Sequence, residues 1–351
     1  MGGTAKVTKT RTDANRRDGS SERCAHSGRP VPGQSYGNGR QPPCAAKFAT
    51  VPNGATAGFC YGEGMIEGAM HHFRGIGPVR LGQLHEAGIR TWQDVLQQRA
   101  SISETLRAEV VQEAECCLQA LERDDIAFFV ERLFPHDRWR ILNRYIDRCS
   151  FFDIETTGLE YDDTITMVVC WHKDRLHTFI EHENLDDFLD LLDDVDLLVS
   201  FNGSTFDVPR VLDGFHIPEL PCPHFDLRWP CYHKNLAGGL KQVTARLGID
   251  RPDDLQDVDG SLAVVLWNRW LQQRDVAARQ QLIRYCGADV MLLKPLSQVI
   301  GGHRIQLADD FWDQLPASPA APAAPTIDDR RRQFLASVFG TASPTRLRTR
   351  R

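Results

Sequence analysis

No stretch of this 351-residue chain approaches the roughly 18 to 20 consecutive apolar residues that cross a bilayer. That excludes a helical membrane span and leaves a soluble protein as the expectation. The ten cysteines are scattered, without the regular framework of a small secreted domain, and the N-terminus lacks the apolar core of a signal peptide; a reducing, cytoplasmic setting is expected. No nucleotide-binding loop is present, because Gly28, Gly33, Gly37 and Gly39 stand in no strand-to-helix context, so ATP is not implied. A zinc tetrahedron from Cys222-Pro223-His224 and Cys231-Tyr232-His233 would need unusually tight one-residue gaps, and isolated side chains are expected there instead. Cys24/His26 and His71/His72 are weaker still, and Cys116 and Cys117 leave successive helical positions. Internal repeats are absent as well.

What is there is unevenly arranged. The formal charge is −6, but residues 1–40 carry eight Lys/Arg against three Asp/Glu, and residues 330–351 carry seven Arg and no acid, so the stretch between is near −18. An acidic middle speaks against a uniformly basic DNA-coating protein. It suits a metal-dependent catalytic domain whose basic arms meet a phosphate backbone, although solubilising tails would look the same. The length fits two folded units. Residues 1–60, rich in Gly, Ser, Pro, Asn and Arg, are expected to be a disordered basic segment. Residues 61–147 read as a small helical domain: a glycine-interrupted unit around His72 to Leu96, apolar spacings of three and four from Ile102 to Leu121, and two short helices at Asp125 to Leu133 and from Arg138. Residues 148–312 read as α/β, with strands at Ser150 to Glu155, Thr164 to Trp171, Arg175 to Ile180 and Asp196 to Phe201, and a further candidate at His224 to Leu227. Helices follow at Leu240 to Leu247, Ser261 to Gln272 and Ala277 through Leu296. That order predicts a mixed sheet covered on both sides. Residues 313–351 are a Pro/Ala linker and an Arg-rich flexible tail with one short apolar run, Phe334 to Phe339.

The chemistry is concentrated in the middle. In Phe151-Phe152-Asp153-Ile154-Glu155-Thr156-Thr157-Gly158-Leu159, two carboxylates sit two positions apart on a predicted strand. Their side chains leave one face while Ile154 points into the packing layer. Such a pair repels itself unless a hard cation such as magnesium or manganese neutralises it. Asp207, in Ser200-Phe201-Asn202-Gly203-Ser204-Thr205-Phe206-Asp207, falls where a strand gives way to a helix, beside those strand ends. Tyr285 and Asp289 lie four apart on one helical face. Four carboxylates and a phenol could surround a scissile phosphate, with two metals about 4 Å apart activating a water and stabilising the leaving oxygen, and Tyr285 holding that water in line. Each piece has a plainer reading. Asp153 and Glu155 could be an ordinary strand-end pair, Asp207 a helix cap, Asp289 a partner of Arg284 or solvated, and Tyr285 a core aromatic.

In this order, Asp-x-Glu, Asn-Gly-x-x-Phe-Asp and Tyr-x-x-x-Asp over residues 148 to 296 resemble the DEDD exonuclease superfamily of the ribonuclease H-like fold, in its tyrosine-containing branch. The phrase from Phe152 to Leu159 and the lead-in Trp139-Arg140 resemble the YprB-type ribonuclease H-like family. The resemblance implies a two-metal 3′–5′ exonuclease, with Mg2+ or Mn2+, that hydrolyses phosphodiester bonds and releases nucleoside 5′-monophosphates. By position, Asp153, Glu155, Asp207 and Asp289 match its metal-binding carboxylates and Tyr285 its water-orienting tyrosine. The stretch His224 to Arg228 resembles one that borders its cleft.

Around this centre, Thr156 could meet the terminal nucleotide or simply form a turn. Asn202 could bond sugar or base, or make an Asx turn. Arg228 and Lys241 could meet phosphate or make surface salt bridges. Phe73-Arg74-Gly75-Ile76-Gly77-Pro78-Val79-Arg80 resembles a helix-hairpin-helix, whose Gly75-Ile76-Gly77 turn would bring backbone amides to a phosphate, with Arg74 and Arg80 beside it and Ile76 buried. The expected partner is nucleic acid, most simply a single-stranded 3′ end, with no membrane. The alternatives are a structure-selective endonuclease using the same centre and a catalytically silent nucleic-acid-binding module.

Overall fold

The computed structural model describes residues 65–158, 160, 163–255 and 261–318. The N-terminal basic segment, the Arg-rich tail with Phe334 to Phe339, Leu159 of the first motif, and Cys24, His26 and the glycines between 28 and 39 lie outside the described residues. The described residues all belong to one compact unit.

Five helices come first: α1 (Pro78–Glu86), α2 (Trp92–Gln97), α3 (Glu104–Glu122), α4 (Ile126–Arg132) and α5 (Trp139–Tyr145). Their starts are written in local chemistry. Pro78 occupies the first turn of α1, Thr91 and Asp94 form a reciprocal capping box on α2, and Asp125 accepts from the Phe128 N–H at the head of α4. Trp92 stacks on Phe129 with ring centroids 5.8 Å apart, and its indole N–H donates to the Ala69 carbonyl at 2.6 Å. A large aromatic is thereby buried with its one polar atom satisfied.

The sheet follows: β1 (Cys149–Thr156), β2 (Ile165–His172), β3 (Arg175–Ile180), α6 (Asp187–Leu192), β4 (Leu197–Ser200), α7 (Asp207–Gly214), β5 (His224–Asp226), α8 (Arg228–His233), α9 (Leu240–Arg246), α10 (Ser261–Gln273) and α11 (Val276–Ile300). Strand order is β3-β2-β1-β4-β5, with β2 antiparallel to β1 and β3, and β4 parallel to β1 and β5. This is the mixed, doubly covered sheet that the order of elements predicts.

β2 is buried along its whole length, as a central strand covered on both faces must be. β1 distributes its residues between two layers. Phe152 and Ile154 pack with Val168, Phe188 and Val211 under α6 and α7, whereas Phe151 joins the larger core that contains Met167, Leu282 and Met291 of the α11 side. Period-two alternation therefore sends Asp153 and Glu155 toward α11. The larger core is continuous from Ile66 through Phe129 and Tyr145 to Leu315. Asn143 of α5 ties it further: its amide donates to the Gly301 carbonyl at 2.7 Å, and its own carbonyl meets His303 Nε2 at 2.9 Å.

One element differs from the sequence reading. α8 was not expected, because its Trp229 and Tyr232, three apart, are exposed and it is Pro230 and Cys231 that are buried. α11 runs 25 residues, as the sequence reading from Ala277 through Leu296 expects, and carries Pro295 inside it.

Candidate active site

The parallel edge between β1 and β4 ends in a cleft of about 570 Å³ whose wall includes Asp153, Asn202, Arg228, Tyr232, Gly238 and Asp289. Two strands delivering side chains at their carboxyl ends, followed by a helix start, is the place where α/β sheets bind ligands. β1 supplies Asp153 and Glu155. A shift in pairing register between Glu155 and Thr156 bends the strand where the second carboxylate leaves it, as irregular pairing does beside functional sites.

Asp207 opens α7 and is buried. Its Oδ1 accepts the Ile154 N–H at 3.2 Å, and its carboxyl is hydrogen-bonded to that of Asp153. This fixes the relation of α7 to β1 through the functional group itself. The approach requires Gly203, since a Cβ there would lie 2.1 Å from Ser200 Oγ and 3.2 Å from Asp207 Oδ2.

The turn preceding Asp207 is held by a residue that the sequence reading did not single out. Asp226, at the end of β5 and buried, accepts from the backbone N–H groups of Asn202 at 2.7 Å, Arg228 at 2.9 Å and Ser204 at 3.1 Å. Asp226→Ala would strand three donors at once. An unfolding free-energy loss of about 2–4 kcal/mol is expected, measured by denaturant titration, whereas Asp213→Ala on the outer side of α7 should change it by less than about 0.5 kcal/mol.

The three carboxylates are not electrically at ease. Burial, then the charges of Asp207 and Glu155, push the Asp153 carboxyl well above its ordinary range; burial and Asp207 raise Glu155 to about 8, and burial raises Asp207 to about 6. Protons thus take the place of missing positive charge. A further group absent from the sequence reading joins them: Cys286 Sγ lies 3.8 Å from Asp153 Oδ2, and donor atoms of Asp153, Glu155 and Cys286 all fall within 4.8 Å of one another. A set so compact and so rich in carboxylate oxygen fits a divalent cation.

α11 brings the remaining members. Tyr285 and Asp289 sit one turn apart and both are buried. The Tyr285 hydroxyl is 3.3 Å from Lys241 Nζ of α9, and burial followed by the Glu155 charge holds its phenol in the neutral form well past the ordinary range. Asp289 pairs with neither Arg284 nor solvent. Its partner is Arg251, from the segment between α9 and α10, while Arg284 clamps Asp254 through two bonds of 2.8 Å.

The outer residues divide between roles. Thr156 uses its hydroxyl within its own turn, donating to the Gly158 carbonyl at 2.5 Å. Asn202 has a left-handed backbone, φ 68°, and its side-chain oxygen accepts from Thr205 Oγ1 at 3.2 Å and from Arg228. Arg228 therefore reaches Asn202 rather than an acid, and both face the cleft. Gly75 has φ 78°, Ile76 is buried, and Arg80 folds back to donate to the Gly75 carbonyl at 2.6 Å; the exposed Arg74 reaches Glu109 at 3.4 Å and Gly77 precedes α1 with open space around it. Arg74, Gly75, Gly77 and Arg80 lie in the helical region and are not brought to the cleft wall.

Among the described residues, Cys222, His224, Cys231 and His233 form no common donor group; His224 instead bonds Ser200 Oγ at 2.8 Å. His72, Glu113 and Cys117 do converge in the helical region, but both Glu113 oxygens are taken by Arg132 at 2.7 Å. No helix among the described residues is long and apolar enough to cross a membrane.

Residues 150–300 match the protein family described as the RNase_H superfamily, and this part of the chain is an RNase H-like domain. No curated protein matches the chain. Among solved structures, the family B DNA polymerase from the hyperthermophilic archaeon Pyrobaculum calidifontis is similar at 20% identity and a TM-score of 0.34, over 44% of this chain and 27% of the polymerase chain.

Proposed function

We propose that this chain is a metal-dependent nuclease that hydrolyses phosphodiester bonds of single-stranded nucleic acid from the 3′ end, releasing nucleoside 5′-monophosphates. The observation that carries the reading is the convergence of three mutually repelling carboxylates, half-buried Asp153 and Glu155 and buried Asp207, with Asp153 on the wall of an open cleft in an RNase H-like domain. Asp153, Glu155 and Asp207 would hold a divalent cation, Mg2+ or Mn2+, with Asp289 available to a second. Such ions, when bound, neutralise charge developing on phosphorus and make water acidic enough to attack.

The chain's own residues supply binding and orientation. Neutral Tyr285 can hold a hydrogen bond to the attacking water, and Lys241, 3.3 Å from its hydroxyl, keeps the phenol in place. Arg228 at the cleft wall offers a charged donor to phosphate, and Asn202 a polar one to sugar or base. Tyr232 is 60% exposed on the same wall and presents a ring face to a base. Around Gly75 and Gly77, Arg74 and Arg80 would guide the backbone without reading sequence.

The test is a time course on end-labelled single-stranded RNA and DNA with Mg2+, Mn2+ or chelator. Metal-dependent mononucleotide release is expected, and a chelator-resistant product or none on either polymer would sink the reading; cleavage of a circular strand would move it to an endonuclease. Tyr285→Phe should lower kcat about 10- to 100-fold with KM nearly unchanged, since it removes positioning rather than binding. Arg74→Glu with Arg80→Glu should weaken binding of all sequences alike and flatten its salt dependence, measured by fluorescence anisotropy.

A further inference from the structure

The joint between α5 and α8 carries more positive charge than its acids neutralise. Lys234, the residue that follows α8, places its Nζ 4.6 Å from the ring centroid of Trp139 at the head of α5, and the Arg140 guanidinium carbon lies 4.8 Å from the same ring. Two cations thus share one aromatic platform. Arg140 meets Asp137 at 3.0 Å, but that acid is buried and its other oxygen is held by His71 Nδ1 at 2.7 Å. Lys234 meets no carboxylate among the described contacts, and burial first, then the charge of Arg140, hold its ammonium below the ordinary range. Helix polarity alone does not account for this lysine, because a cation can serve the C-terminal end of α8 from solvent, without burial and without a like charge beside it. Imidazoles adjoin it. His233, the last residue of α8, has its ring 4.7 Å from that of His136, which in turn stacks on His71 at 5.7 Å. His136 and His233 are exposed, and no ring nitrogen of either is hydrogen-bonded among the described contacts. On its other side His233 packs edge-on against Tyr232, centroids 5.7 Å apart, and Tyr232 stands on the cleft wall.

We propose that Lys234, with the imidazoles of His136 and His233 beside it, is a backbone-phosphate site for the single strand that enters the cleft, holding an internal phosphate while the reacting end lies beyond Tyr232. The inference rests on the nuclease reading for the identity of its occupant. The surface is continuous with the cleft: Arg228 and Tyr232 on the wall and Lys234 at the far end belong to one short helix and its cap. A strand leaving the wall along α8 meets the joint with α5 next. A phosphate there supplies the anion that the paired cations lack, and its oxygens accept from the ammonium and from an imidazole N–H, since each neutral ring keeps one donor. Such a contact positions the backbone without reading sequence. It also gives the helical region a direct part in holding substrate, through His136 and α5.

The test is a charge-neutralisation scan. Single-stranded oligonucleotides of about ten nucleotides, each with one linkage replaced by a neutral methylphosphonate, are bound to the full chain in chelator and followed by fluorescence anisotropy. In wild type, neutralising one internal linkage, away from the 3′-terminal one, should weaken binding about five- to tenfold. Lys234→Gln should weaken the fully charged strand by a similar factor and lower the salt slope by about 0.7, and in this variant the same neutralisation should cost less than about twofold, since the two changes remove one contact. Lys234→Arg should keep the sensitivity. Should Lys234→Gln not fold, as judged by circular dichroism, His233→Ala at an exposed position decides, and it should reduce the sensitivity at that same linkage. No sensitive internal linkage in wild type, or equal sensitivity in wild type and the folded variant, would overturn the inference and leave the nuclease reading standing. A wild type that binds no strand and, with Mg2+ or Mn2+, releases no mononucleotide would bring down the nuclease reading and the inference with it.

Discussion

Asp153→Asn should lose metal-dependent hydrolysis by at least about 1,000-fold while melting at a higher temperature than wild type in the absence of metal. The two effects come from one cause. A side chain placed to hold a cation at the reacting phosphate contributes through charge, and removing one such stabilising group costs about two to three orders of magnitude even where it is a neutral donor. In the metal-free protein the same carboxyl is a burden, half-buried beside Asp207 and Glu155 and pushed well up from its ordinary range. An amide of the same shape donates permanently to Asp207, where the acid can donate only when protonated. Relief of about 1–2 kcal/mol is expected, an increment typical of removing a functional strain, which for a folded region of this size raises Tm by a few degrees. Turnover assays and scanning fluorimetry on the same preparation decide it. Hydrolysis within tenfold of wild type, or a lower Tm with metal removed, would show that Asp153 is not a cation ligand held at the expense of stability.

The metal-free protein should also become less stable as pH rises through neutrality, opposite to the behaviour of a protein stabilised by surface carboxylate pairs. Unfolded Asp and Glu titrate near 4, whereas Asp207 is raised to about 6 and Glu155 to about 8 by burial first and by neighbouring carboxylates. Between those limits the folded state retains protons that the unfolded state has released. Stability is therefore fully present below about pH 4, declines as pH rises, and is lost once pH passes the folded values near 6 and 8. Each retained proton can contribute a slope of up to about 1.4 kcal/mol per pH unit. Mn2+ replaces the protons, so its stabilising effect should grow from pH 6 to pH 8.5. Melting curves across that range, with chelator and with Mn2+, provide the measurement; a metal-free Tm that rises with pH would contradict the charge arrangement.

How much of this could be read beforehand depended on whether the signal was local. β1, β3 and β4 announce themselves because alternation or short apolar runs lie between polar turns, and Asp153, Glu155, Asp207, Tyr285 and Asp289 are marked by spacing within their own elements. Arg251 has no such mark. It sits in an irregular segment, and only the folding of α9 and α10 against α11 delivers it to Asp289. Cys286 adjoins Tyr285 in sequence, but a helical neighbour points about 100° away, and the strand that meets it belongs to a remote part of the chain. Asp226 reads as a strand-end acid until three backbone N–H groups are seen to face it. α8 escaped for a different reason: its exposed Trp229 and Tyr232 disguise its burial pattern.

The unbroken apolar interior between α1–α5 and the sheet has a practical corollary for anyone cutting this protein apart. Residues 150–300 are the portion that a family comparison outlines, yet a fragment begun at residue 148 would bare the side of the sheet that Ile141, Leu142 and Tyr145 now share a core with, and would unhook Gly301 and His303 from Asn143. A fragment cut there is therefore expected to aggregate on expression, and a workable one includes Ile66.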